Sequence, residues 1–317
     1  MSFERVSLPK LIFALAIGVL PALSQQPGQP ANQQQPGQAA PPPPAQTAPS
    51  TAQQNVQSQP GPPPQEPAVL EDGGFSIEPI YWLNRAQPTL YGGAQASSYA
   101  SLDYPGNSNP GFGAELSIPT GHSNTLRISY FRILGSANTT LTQDTAPYGE
   151  AYSAGDYLVS SYNIQNAKLS WDYLSYTWRK PAGNIHFKTL YEVQYTTIST
   201  SISAPFLPVT TDSEGNVNNN ATNGTQNIIL PTFGVELEQA IHRNFRWEIK
   251  ASGFGIPHHS DIWDAQGDIA YRLHKFELIA GDRAYHFKTS PQAGQYFADT
   301  LSGVFVGVRY YLGSGRK

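Results

Sequence analysis

Two adjacent histidines and two nearby aspartates, His258, His259, Asp261 and Asp264, form the densest group of chemically versatile side chains in the sequence. A histidine oriented by a carboxylate can act as a general base toward a water molecule. The same residue types bind metals, but these histidines are adjacent rather than spaced to converge from one strand face, and the chain has no cysteine. A histidine pair in a polar connection is commonly a solvated turn. The group therefore gives one hydrolytic hypothesis, with no metal or cofactor predicted.

A larger set of ionisable residues recurs at every second position of apolar segments. Residues 245–252 read Phe-Arg-Trp-Glu-Ile-Lys-Ala-Ser, so one face of this strand is apolar and the other is charged. Opposed charges that face one another inside a barrel would pair, and carboxylates slightly outnumber bases on this face, which favours cations if anything passes. The predicted interior charge network comprises Glu78, Glu115, Arg127, Lys188, Glu192, Glu236, Glu238, Arg246, Glu248, Lys250, Asp264, Asp268, Arg272, Arg283 and Arg309.

About ten such segments follow residue 73, so the sequence predicts an all-β domain. Eight or twelve strands stay open as alternatives. The strands are predicted at 75–83, 112–118, 125–133, 157–179, 184–200, 228–240, 245–256, 262–273, 275–288 and 300–312. Tight connections alternate with long ones at 84–111, 134–156 and 201–227, which indicates an up-and-down meander with short turns at one end and long loops at the other. Pro79, Pro231 and a change of parity near Tyr173 predict bulges or strand ends.

The apolar face can meet either lipid or a barrel interior. If lipid surrounds it, the sheet must close, because an open edge in hydrocarbon leaves unpaired amides that cost several kcal/mol each. Turn asymmetry favours lipid, as do aromatic residues predicted at both interfaces: Trp82, Trp178, Trp247, Trp263 and Tyr310. The alternative is a soluble secreted barrel that binds an apolar ligand.

The N-terminal part divides into two further predicted segments. Residues 1–24 have basic residues, the apolar stretch Leu11 to Leu20 and the small residues of a cleavable signal peptide. Residues 25–72 contain thirteen of the chain's 27 prolines and are predicted to be a disordered Pro/Gln-rich linker on the periplasmic side. The barrel domain is then 73–317. A net charge of −4 and the absence of a basic cluster exclude a nucleic-acid partner.

From Gly73 to Leu312 the chain resembles small bacterial outer-membrane β-barrel proteins of the OmpA-like or OmpW-like class. The resemblance lies in the strand pattern and in the last strand, Val304 to Leu312, which is similar to the closing strand that the barrel assembly machinery recognises, although five residues follow Leu312 here. It implies a bacterial outer-membrane location, with outer-membrane lipids and that machinery as partners. Extracellular or cell-wall ligands are not specified.

Beside the soluble apolar-ligand-binding barrel, two functions in the membrane are carried forward from the sequence. The first is a non-catalytic outer-membrane barrel with a structural or surface-interaction role, or with a narrow porin-like path for small solutes. The second is a hydrolase that is similar to the omptin type, with a rim site near 258–264.

Overall fold

The computed structural model describes residues 74–92, 102–103, 107–121, 124–181, 183–211, 213–215, 217–242, 244–292 and 294–312. The predicted segments 1–24 and 25–72 lie outside these residues. Ten long strands form the domain: β1 (Ser76–Arg85), β2 (Gly111–Gly121), β3 (Asn124–Thr140), β4 (Tyr157–Trp178), β5 (Ile185–Ser203), β6 (Ala221–His242), β7 (Phe245–Gly255), β8 (Asp261–Leu273), β9 (Phe276–Lys288) and β10 (Tyr296–Tyr311). Within the described part of the chain, no helix is long and apolar enough to cross a membrane.

The ten strands form a closed antiparallel barrel. Each strand pairs with the next along the chain, and β1 pairs with β10, with Ser76 opposite Tyr311. Closure satisfies the backbone groups that would otherwise be exposed at two sheet edges. The predicted fold class, with ten strands, is confirmed.

The connections between the ten strands lie at two ends of the barrel. Those at 122–123, 179–184, 243–244 and 274–275 lie at the same end as the start of β1 and the end of β10, called the turn end below. The other end, called the loop end below, has three long connections, at 86–110, 141–156 and 204–220, and two short ones, at 256–260 and 289–295. Short pieces of strand occur in the long connections; Thr89–Tyr91, for example, pairs with β10. The predicted asymmetry is therefore present in three of the five loop-end connections.

Strands β3 to β6 extend beyond their neighbours at the loop end. Residues 221–232 of β6 pair with β5 alone, since the pairing of β6 with β7 begins at Phe233. Pro231 lies in this stretch, where β6 has β5 on one side and no paired residue of β7 on the other. Pro79 lies where the β1–β10 pairing skips two residues, and the register of β4 with β5 shifts between Leu174 and Tyr176. These irregularities explain how a closed barrel accommodates the prolines and the change of parity.

The two faces of the wall differ as the alternation predicts. Apolar side chains at the predicted outward positions are exposed or half-exposed, among them Ile249 and Val306. Charged side chains of the opposite parity are buried inside the barrel, with Arg246 only 3% exposed. The soluble alternative required apolar side chains inside the barrel and charged side chains outside, so the structure contradicts it.

Candidate functional site

Arg127 on β3 lies at the centre of the interior charge network. Its guanidinium lies 2.6 Å from Asp172, 3.2 Å from Glu248, and 3.5 Å from both Glu115 and Glu236. These carboxylates come from β4, β7, β2 and β6, so one cation joins strands on several sides of the barrel. Such contacts require a narrow interior in which side chains from opposite walls meet.

Four further cations, Lys188, Arg246, Lys250 and Arg309, lie around this centre. Lys188 lies 2.8 Å from Glu236 and 2.7 Å from Glu238. Arg246 and Arg309 share the carboxylate of Glu277, at 2.9 and 3.5 Å. In addition, Arg246 contacts Glu238 at 3.0 Å, Arg309 contacts Glu78 at 2.8 Å, and Lys250 lies 3.2 Å from Glu248.

A second group lies nearer the loop end. Asp264 accepts two hydrogen bonds from Arg283, at 3.0 and 2.7 Å, and a third from Lys168 at 3.0 Å. Lys168 also lies 3.4 Å from Glu192. Glu192 in turn accepts hydrogen bonds from the hydroxyls of Ser252 and Thr232. Hydroxyl groups thus donate to the Glu192 oxygens the hydrogen bonds that Lys168 does not supply, as expected for a buried carboxylate.

The interior contains ten buried or nearly buried carboxylates and seven cations among the described residues. A buried charge without a partner costs several kcal/mol of free energy, and mutual pairing offsets most of that cost.

Two predicted members lie at the margin of the network. Asp268 accepts a hydrogen bond from Gln266 at 3.0 Å, and half-exposed Arg272 lies at the turn end with its guanidinium 4.0 Å from the ring centre of Tyr311.

An apolar and aromatic layer fills the interior above the charges, and the sequence analysis missed it. Its centre is Tyr285, whose hydroxyl contacts Thr196 at 2.5 Å and accepts a hydrogen bond from Asn166 at 3.1 Å. Further large side chains of this layer are buried: Phe131, Ile133, Ile164, Ile198, Phe287, Phe297 and Phe305. The signal was available, because inner-parity positions become apolar toward the loop end of β3, β4, β5 and β9.

The connection at 141–156 covers this layer. The Tyr148 ring lies against Gly224, where an added Cβ would be 1.9 Å from a ring carbon, and its hydroxyl is 2.6 Å from that of Thr200. Burial raises the pKa of Tyr148 to about 12, while the hydrogen bond with Thr200 acts in the opposite direction. Burial, reinforced by the charge of Glu150, also raises the pKa of Tyr152 to about 12. Both phenols therefore stay protonated at neutral pH.

Little space is left between the charged and apolar layers. A cavity of about 20 Å³ lies beside Glu115, Lys168, Lys250 and Arg283, under Trp82 and Phe305. This volume holds about one water molecule. The Arg283 guanidinium lies 4.9 Å from the ring centre of Phe131 and 5.3 Å from that of Trp82, so the two layers are in direct contact.

The residues of the hydrolytic hypothesis are not brought together. His258, with a φ of 63°, and His259 are exposed in the turn between β7 and β8. Asp261 lies 3.0 Å from His286 instead, and Asp264 points into the barrel toward Arg283. Within the described ranges, no group of three or more histidine and carboxylate side chains is arranged to hold a metal ion.

The predicted interface aromatics divide into two groups. Trp178, Trp247, Trp263 and Tyr310 face outward, and Trp263 stacks on His286 with ring centres 5.5 Å apart. The prediction for Trp82 is wrong. Its side chain is inside the barrel, 2% exposed, with its ring against Phe131, because its position shares the parity of Glu78.

No family model matches the chain, and no curated protein matches it. Among solved structures, it is similar to the outer membrane protease OmpT from Escherichia coli, with 8% identity, a TM-score of 0.46, and coverage of 78% of this chain and 99% of that one. It is also similar to the transport unit of the autotransporter AIDA-I from Escherichia coli (9% identity, TM-score 0.38, 78% and 93% coverage). A third likeness is to Ail, the attachment invasion locus protein of Yersinia pestis (10% identity, TM-score 0.30, 75% and 99% coverage).

All three TM-scores are below 0.5, and all three identities are 10% or less. Values this low carry no argument about what this chain binds or catalyses.

Proposed function

We propose that this chain is an integral β-barrel of the bacterial outer membrane that does not conduct solutes and acts by presenting its loop end at the cell surface. One observation carries the proposal: the wall is apolar outside, while the interior is filled by paired charges in one half and packed aromatic side chains in the other. An exterior of this kind suits hydrocarbon, and the filled interior leaves no room for a hydrated solute.

The length of the apolar band supports a bilayer. On β5 the outward residues are Phe187, Thr189, Tyr191, Val193 and Tyr195, of which only Thr189 is not aromatic or aliphatic, and the next outward residue is Thr197. The nine residues from Phe187 to Tyr195 extend about 27 Å along the strand at about 3.4 Å per residue. Tilted membrane strands use about 9 to 11 residues to cross the hydrocarbon.

The lengths of the connections support an orientation with the long loops outside the cell. In barrels of this class the short turns are periplasmic and the longer loops are external. Both ends of the barrel domain lie with the short turns, so residues 25–72 would be periplasmic. The pattern of residues 1–24, typical of an export signal, agrees with this arrangement.

The narrow porin-like path is the less favoured role, because any path must cross the layer that contains Tyr285, Phe287 and Phe305. Planar bilayer recording of the purified full chain tests this directly. We expect no steady conductance, whereas stable open levels in repeated insertions would contradict the closed interior.

Membrane integration is tested separately by heat-modifiable migration on a gel and by detergent dependence. We expect a folded form that migrates faster than the boiled form and precipitates when detergent is removed. A domain that stays soluble without detergent would contradict the membrane assignment, whatever the conductance result.

A further inference from the structure

The outward face of the projecting part of β3 to β6 is a polar wall with almost no charge. Its members lie in register across the four strands: Ser136, Ser161, Ser201 and Asn223 form one row, Leu134, Asn163, Ser199 and Thr225 a second, and Arg132, Gln165, Thr197 and Asn227 a third. We call these twelve residues the polar wall. Arg132 is its single charged member.

Absence of charge is unusual for strands that project into water. Solvated protein surfaces are typically about a quarter or more charged. Ten of the twelve wall residues instead carry a hydroxyl or a carboxamide, groups that both donate and accept hydrogen bonds. Such groups are also far less costly to desolvate than ions. The wall is therefore chemically suited to a ligand that is itself rich in hydroxyls and uncharged.

The side chains of the wall are already oriented by one another. Arg132 donates to the carboxamide of Asn163 at 2.9 Å, and the hydroxyl of Thr225 donates to that of Ser199 at 3.1 Å. Just below, Tyr195 donates to Asn227 at 3.2 Å. Each of these contacts leaves further donor or acceptor capacity free for a ligand, while it restricts the rotamers that would otherwise have to be ordered on binding.

The wall also contains a concave region. An open groove of about 350 Å³ crosses β3, β4 and β5. Its lining is mixed: Leu134 and the carbon atoms of its neighbours form an apolar floor, and polar groups come from Asn109, Ser136, Ser161, Asn163, Ser199 and Ser201. Neighbouring strands lie about 4.8 Å apart. A flat sugar ring lying across two strands would therefore meet polar groups on both.

We infer that the polar wall binds the uncharged saccharide part of an outer-leaflet glycolipid. The inference rests on the proposed function, because it is the membrane that brings such a lipid to the wall. The wall begins where the apolar band ends, with Thr197 two residues beyond Tyr195 on β5. A lipid whose acyl chains lie against Tyr191 and Val193 thus holds its sugars beside Thr197 and Ser199. This proximity raises the effective concentration of the sugar at the wall.

The test uses the full chain in lipid nanodiscs that contain one of two probes: a glycolipid with an uncharged disaccharide on diacylglycerol, or the same diacylglycerol without the sugar. Retained probe lipid per barrel is measured by native mass spectrometry after competition with phospholipid. We expect at least about fivefold preferential retention of the sugar-bearing form, an effect that a few net hydrogen bonds can supply. Equal retention of the two forms would overturn the inference.

Two wall variants and one matched control make the assignment specific. Ser161→Val and Ser201→Val remove hydroxyls but keep strand propensity, and each is expected to reduce the preference about two- to fivefold. Ser302→Val makes the same change on β10, at an exposed position outside the wall, and is expected to leave the preference intact. An unchanged preference in both wall variants would contradict the inference.

The free uncharged disaccharide distinguishes the source of the sugar. Binding at least about tenfold weaker than that of the intact glycolipid is expected, because the acyl chains no longer hold the sugar in place. Equal affinity would overturn the assignment to a membrane lipid. A barrel that inserts and stays silent, yet retains both lipids equally, would refute this inference and leave the proposed function standing.

Discussion

The guanidinium of Arg246 donates two parallel hydrogen bonds to the carboxylate of Glu277, at 2.9 and 3.0 Å, with both side chains almost completely buried inside the barrel. Truncation of Arg246 removes both of these hydrogen bonds and leaves the buried Glu277 carboxylate, among the described residues, only the Tyr311 hydroxyl at 2.9 Å and Arg309 at 3.5 Å. Arg246→Ala is therefore expected to lower the free energy of unfolding by about 3–5 kcal/mol. Urea unfolding in lipid vesicles provides the measurement.

A double variant separates pairing from packing. Arg246→Met with Glu277→Leu replaces the pair by apolar side chains and should recover part of the loss. Recovery is not complete because Glu238 and Arg309 each lose one partner, although Glu238 keeps Lys188 and Arg309 keeps Glu78. Arg272→Ala, at the partly exposed turn end, is the control, with an expected change below about 1 kcal/mol. Wild-type stability in Arg246→Ala would show that the network is not structurally important.

The position of Trp82 can be tested by fluorescence. In variants that keep a single tryptophan, with the others replaced by phenylalanine, brominated lipids should quench Trp263 and leave Trp82 nearly unquenched. The reason is that Trp263 faces outward, 40% exposed, whereas Trp82 is enclosed with Phe131 and Arg283. Equal quenching of the two would place Trp82 at the lipid interface after all.

Asp282 is a carboxylate on the outward face, fourth of the seven outward residues of β9. Its Oδ1 accepts the backbone N–H of Arg283 at 3.0 Å, and none of the ion pairs among the described residues includes it. Because an acidic side chain on a lipid-facing wall is unfavourable, Asp282→Leu should stabilise the barrel in vesicles by about 1–2 kcal/mol. Ala284→Leu, an apolar change two residues away, controls for added hydrophobicity and should give a smaller gain. A destabilised Asp282→Leu variant would argue against lipid at this position.

His286, unlike the histidine pair in the turn between β7 and β8, makes several side-chain contacts. It lies 3.0 Å from Asp261, 2.8 Å from the Thr300 hydroxyl, and stacks on Trp263. His286→Ala is expected to cost about 1–2 kcal/mol of unfolding free energy. His259→Ala should change stability by less than about 0.5 kcal/mol.

The same His259→Ala variant tests the hydrolase alternative. Wild type and variant are incubated with peptides and with phospholipids, and no turnover that depends on His259 is expected. Hydrolysis by the wild type that disappears in His259→Ala would restore the rim site.

The contact between Tyr148 and Gly224 tests how the loop covers the interior. Gly224→Ala places a methyl group 1.9 Å from the Tyr148 ring, so the ring must move. We expect a loss of about 1–3 kcal/mol and faster proteolysis within 141–156. In a protein that already carries Tyr148→Ala, Gly224→Ala should leave the free energy of unfolding nearly unchanged. If Gly224→Ala costs the same with and without Tyr148, the two residues are not in contact.

Alternation and connection length were sufficient to predict the wall of the barrel. Phe245 to Ser252 predicted a two-faced strand, and the structure has Arg246 and Glu248 inside with Ile249 outside. This works because residue parity in a strand is a local property. The prediction for Trp82 failed for a related reason: it relied on residue type and position along the strand, although the parity of Ser76, Glu78 and Trp82 already placed it inside.

The sequence by itself determined which side chains share a face, where the chain turns, and that charges and apolar groups face opposite ways. Only the tertiary structure decided that β1 meets β10, that Arg127 contacts carboxylates from four other strands, and that Asp261 contacts His286 rather than the turn histidines. The physical reason is that these contacts join residues far apart in sequence. They depend on strand register and barrel diameter. Both are set by strand pairing around the whole closed sheet, and no local sequence pattern encodes them.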